Sequence, residues 1–221
     1  MIETIFHPRV IENKDWATIL FVLALTMVAI AKSAYGNRFY DFMKLLFSDK
    51  YNKIYRDTSN LMSAFTVIMF IINMISLAFF IQLVLHYFGY ISKNDWVIFI
   101  QIITFLLVFV LSKYLIEKII ATSFNIEEFV EQYNLQKVNY RTYVGLLILP
   151  LDIILFYSKY TTKTVIFSII GIFLIINFIN YIISLKNYQN LLFRKLFYFI
   201  LYLCALEIAP YYFMYYWFTK S

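Results

Sequence analysis

Much of what equips a soluble enzyme is scarce in this 221-residue chain. There is one cysteine, Cys204, so no intrachain disulfide can form, and its apolar surroundings suit an inert buried thiol. There are two histidines, His7 and His86, and no spaced set of His, Cys, Asp and Glu, so no metal ligand set and no cofactor is expected. The four glycines, Gly36, Gly89, Gly145 and Gly171, are isolated and build neither a phosphate loop nor a dinucleotide fingerprint. No serine sits in a nucleophile elbow. Charged residues make up only 14%, where a soluble domain carries about 25%. That shortage excludes both a disordered chain and a soluble globular enzyme.

What is present is apolar. Hydrophobic residues reach 62%, aromatics 21%, and mean hydropathy is +0.73. The expected fold is all-α: a polytopic transmembrane helix bundle forming a single integral-membrane domain over 1–221. Six apolar runs are read as spans at 16–33, 61–86, 96–114, 141–158, 165–185 and 196–217. A spanning helix needs roughly 17–25 residues. The first, third and fourth runs are short at their cores and recruit flanking residues, with Lys32, Lys113 or Arg141 snorkelling to the interface. Period-2 strands with polar inward faces are absent, which excludes a barrel. The Ala29-Ile30-Ala31 stretch resembles a signal-peptide cleavage site. The acids Glu3, Glu12 and Asp15 before it argue for an uncleaved first span instead.

The net charge of +6 is read as an orientation signal rather than as nucleic-acid affinity. Lys and Arg number six in 32–60, four in 112–142 and three in 186–195, thirteen in all; the alternate segments and termini hold six. The heavier set is expected to face the cytoplasm, with both termini on the outer, periplasmic side. Trp16, Trp96 and Trp217 all fall at the outer boundary of that topology, where their amphipathic rings anchor the interface.

Two of the basic segments look organised. In 38–56, Phe39, Phe42, Met43 and Leu46 share one face of a helical wheel. The segment reads as an amphipathic helix lying on the inner leaflet, or equally as one docked on the chain's own spans. Its cations Lys44, Lys50, Lys53 and Arg56 suit either anionic lipid headgroups or a plain positive loop. A capping-box-like start at Asn125-Ile126-Glu127-Glu128 predicts a short cytoplasmic helix.

An acid in the hydrocarbon layer costs several kcal/mol unless paired, hydrated or neutral. Asp152 stands in the fourth run, 8 residues from Tyr160 and so roughly 12 Å deep; Glu207 stands in the sixth, 10 residues from Trp217 and roughly 15 Å deep. Each neighbours a proline, Pro150 or Pro210, which removes a backbone donor and frees a carbonyl one turn back. Two neutral acids fixing helix packing, a proton or ion site of the kind found at broken helices, and a partner contact all remain open. Asn73, Asn177 and Asn180 add polar groups suited to interhelical hydrogen bonds or to lining a polar path.

The segment Leu201-Tyr202-Leu203-Cys204-Ala205-Leu206-Glu207-Ile208-Ala209-Pro210 resembles the closing motif of a multi-spanning family, a DUF4271-like domain of unknown function found in Bacteroidota. The resemblance implies a multi-pass protein of the bacterial inner membrane with no assigned reaction. It draws attention to Glu207, Cys204 and Pro210, while Asp152 lies outside the motif. The functional expectation is a non-enzymatic accessory or structural subunit of a larger membrane assembly, in contact with membrane lipids and other integral membrane proteins. The alternative is a small proton-coupled transporter using Asp152 and Glu207 as its relay.

Overall fold

The computed structural model describes residues 14–45, 50–55, 62–123, 127–158, 165–176 and Tyr216. Among them all regular structure is helical. The long helices are α1 (Asp15–Ala34), α4 (Ala64–Tyr87), α5 (Trp96–Ser123) and α6 (Glu127–Tyr157). The shorter ones are α2 (Gly36–Met43), α3 (Lys50–Ile54) and α7 (Val165–Ile176). The four long helices are each apolar and long enough to cross a membrane.

Local chemistry sets several of the ends. Asp15 opens α1 and Lys32 lies in its last turn, each complementing the helix dipole. Ser63 caps α4, its Oγ accepting from the Thr66 N–H at 3.4 Å. After α4 the chain turns through Gly89 at φ +82, a conformation that favours glycine. The Gln82 side-chain amide, buried on α4, donates to the Asp95 carbonyl at 2.8 Å and so pins the loop. Asp95 Oδ1 then accepts from the Val97 N–H at 3.0 Å, starting α5.

Two aromatic clusters define the two ends of the bundle. Trp16, at the start of α1, meets Phe79 near the end of α4, Phe99 at the start of α5 and Phe156 at the end of α6, with ring centroids 5.3–6.2 Å apart. At the opposite end Phe42 of α2 packs on Tyr51 of α3, Phe65 of α4 and Tyr143 of α6. The long helices therefore alternate in direction, with α4 in the middle, packed against α6, α5 and α1. α4 is buried at thirteen of its 24 positions, which is why its apolar residues show no one-sided pattern.

The described part of the wheel face in the 38–56 segment docks on the chain's own helices through Phe42, which is buried, and Phe39, which packs on the same core; Met43 is exposed, and Leu46 lies outside the described residues. The capping-box start at 125–128 leads into no separate short helix. α6 begins at Glu127 and runs unbroken for 31 residues into the fourth apolar run, straight through Pro150. Because Tyr143 lies level with Phe42, about four turns of α6 project beyond the start of α4. The polar residues there hid the continuity, since a charge in a sequence reads as a membrane exit. A helix does not stop for polar residues that find cover, and Asn134, Gln136 and Asn139 are buried. Lys113, expected at the interface, is buried as well, one turn from Glu117, whose Oε1 lies 3.8 Å from Lys137 Nζ of α6.

Candidate functional site: a polar seam between α4 and α6

Asp152 is fully buried on the face of α6 that meets α4. Ser76 Oγ donates to its Oδ2 at 2.9 Å. Ser76 stands midway along α4, about 18 Å from Ala64 and 16 Å from Tyr87. The bond therefore lies near the middle of a hydrocarbon layer about 30 Å thick. Asn73, one turn earlier on the same face of α4, is also buried. Its Oδ1, like Asp152 Oδ1, has no hydrogen-bond partner among the described residues.

Gly145 explains how the helices come so close. A Cβ added there would meet Asn73 Oδ1 and lie 2.9 Å from the Asn73 Cα and Cβ. No ordinary side chain fits without moving the backbone of α4. A small residue at a helix crossing is how membrane helices gain contact where no hydrophobic drive separates protein from lipid. Chemically the seam offers one accepting carboxylate oxygen already in use, one free carboxylate oxygen and one free amide oxygen. That set can accept hydrogen bonds from a further helix, or hold a proton.

The other expected site residues fall in different places. Pro150 lies on the exposed side of α6, away from the seam. Trp16 is drawn into the aromatic cluster and its indole N–H donates to the Asn94 carbonyl at 3.1 Å, whereas Trp96 is exposed. Lys44 is exposed, its Nζ 4.0 Å from the Tyr40 ring centroid. Lys50 and Lys53 belong to α3, their side chains outside the described set. Arg56, Asn177, Asn180, Glu207, Pro210 and Trp217 lie outside the described residues, and with them the Glu207 half of the expected Asp152–Glu207 relay. Among the described residues no group of three or more His, Cys, Asp or Glu is placed to hold a metal.

Sequence reasoning missed Ser76 and the role of Gly145. The signal was present as Asn73-x-x-Ser76, two polar residues at helical spacing inside the otherwise apolar stretch 67–81. It also missed Arg38. That guanidinium donates from Nε to Tyr51 Oη at 3.2 Å and from Nη2 to Thr66 Oγ1 at 3.1 Å, with the Tyr55 and Phe65 ring centroids each 4.8 Å away. Burial pushes the Tyr51 phenol above its ordinary range, and Arg38 only partly offsets this. At the Trp16 end, Lys93 caps α6 by donating to the Phe156 and Ser158 carbonyls at 3.0 and 3.2 Å.

Long apolar helices of alternating direction, with a carboxylate closed into their central crossing, define a multi-spanning α-helical membrane protein. The chain belongs to the family described as domain of unknown function DUF4271, whose model matches residues 17–218. No curated protein and no solved structure matches it.

Proposed function

We propose that the chain is a non-enzymatic accessory or structural subunit of a larger membrane assembly. In this reading it crosses a bacterial inner membrane six times, with both termini on the periplasmic side. Asp152 serves as an internal packing anchor. The observation that carries this is the closure of Asp152: it is wholly buried, bonded to Ser76 and held where Gly145 lets α6 touch the backbone of α4. A carboxylate in that position ties two helices together. The concentration of Lys and Arg between α1 and α4, with Lys113 and Lys118 toward the end of α5 and Lys137 and Arg141 in the first half of α6, supports the orientation.

Purification of the full chain in mild detergent tests the proposal. An integral membrane protein should co-purify at fixed stoichiometry. A monodisperse monomer that carries no other membrane protein contradicts it.

A second reading, a small proton-coupled transporter with Asp152 and Glu207 as relay, draws on one observation. Asp152 Oδ1 and Asn73 Oδ1 both remain unpartnered among the described residues. It predicts that Glu207→Gln loses transport while the protein stays folded and abundant.

A further inference from the structure

We infer that Arg38 is a binding site for the phosphate of an anionic phospholipid headgroup. α1 has 20 residues and spans about 30 Å, the thickness of the hydrocarbon layer. Arg38 follows its end by four residues, which places the guanidinium where headgroups lie. It is half-buried, held between α2, α3 and the first turn of α4.

Among the described residues all of its contacts are neutral. A guanidinium has five N–H donors, and here Tyr51 and Thr66 take one each, leaving Nη1 unengaged among the described residues. The Tyr55 and Phe65 rings stabilise a cation through their faces but do not cancel its charge. Among the described residues no carboxylate pairs with Arg38. Its position sharpens the imbalance. Thr66 lies in the first turn of α4, the positive end of a 24-residue helix, and that turn has no acidic residue. A cation there is electrostatically unfavourable alone and favourable once an anion joins it. A phosphate oxyanion fits both, because the guanidinium fork and the helix start each favour its charge.

The phosphate could be that of a phospholipid or of a soluble anion. Beside Arg38, α2 exposes Tyr40 and Met43, at 61% and 38%. Lys44 lies over the Tyr40 ring. An outward tyrosine, methionine and lysine at headgroup level suit a membrane surface, and we assign the lipid. The site is a single fixed guanidinium and not the diffuse charge of the basic segment.

The test is native mass spectrometry of the full chain released from detergent with added phosphatidylglycerol or phosphatidylcholine, with a parallel melt in each lipid. Wild type should retain one phosphatidylglycerol in preference to phosphatidylcholine, and phosphatidylglycerol should raise its melting temperature more. Arg38→Gln should weaken that retention by about tenfold, the scale of a charge-assisted hydrogen bond. Arg38→Lys, which keeps the charge and loses the fork, should fall between. Lys44→Gln should leave it within about twofold, as expected for an exposed charge screened by water. Inorganic phosphate at millimolar concentration should not displace the lipid. Equal retention of the two lipids by wild type overturns the inference even if the Arg38 variants fail to fold. Undiminished phosphatidylglycerol retention by Arg38→Gln or Arg38→Lys overturns it, as does a loss in Lys44→Gln equal to that in Arg38→Gln. Displacement by inorganic phosphate overturns the assignment to lipid.

Discussion

Ser76 and Asp152 meet where water is scarce, so each answers for the other's polarity. The Ser76 hydroxyl could turn back to its own helix, but Asp152 has fewer choices within α6. Hydrogen bonds between membrane helices are worth about 0.6 kcal/mol on average and up to about 1.7 kcal/mol. A double-mutant cycle of Ser76→Ala with Asp152→Ala, read by thermal unfolding in detergent, should return a coupling within that range; strict additivity would mean the two side chains do not act together. A second residue-scale expectation concerns Tyr51. Burial raises its folded-state pKa above 10.0, so the stability of the neutral phenol is complete below about pH 10 and is lost as pH climbs through the raised folded value. Melts of wild type and Tyr51→Phe should therefore run parallel near neutrality and diverge in alkali, with the variant losing less. At this scale the sequence revealed Asp152 plainly, because a lone acid in an apolar run stands out. It concealed Ser76, because serine is ordinary anywhere.

The element scale turns on the crossing of α4 and α6. Gly145 sits against the backbone of Asn73, so Gly145→Ala must push the helices apart or displace Asn73. Overpacking of this kind costs about 1–3 kcal/mol. It should lower the melting temperature clearly, whereas Gly36→Ala or Gly171→Ala, with nothing within 4 Å of the added carbon, should not cost packing in this way. For the first four runs helix existence was legible from apolar run length alone. Helix length was not: α5 has 28 residues and α6 has 31 because buried polar groups, Lys113, Glu117, Asn134 and Asn139 among them, let both continue beyond the apolar layer. The docking of α2 was also open in the sequence. Phe42 could have met lipid or Tyr143 with equal sense until the position of α6 was known.

At the scale of the whole molecule, the Trp16 and Phe42 clusters hold the two ends of the bundle and the Asp152–Ser76 seam holds its middle. Length and hydropathy announced a membrane bundle. They could not announce which helices touch, since apolar faces look alike and pairing is decided by a few small or polar residues such as Gly145 and Asn73. The central claim is that Asp152 acts by packing. Its most direct test replaces the chromosomal copy with Asp152→Asn or Asp152→Ala and follows both the amount of protein in the membrane and the phenotype of the deletion. Asparagine keeps an acceptor for Ser76 and should preserve both; alanine opens the seam and should lower both together. An Asp152→Asn protein present at full abundance, folded, yet indistinguishable from the deletion would contradict the claim and show that the ionisable proton itself is what the molecule uses.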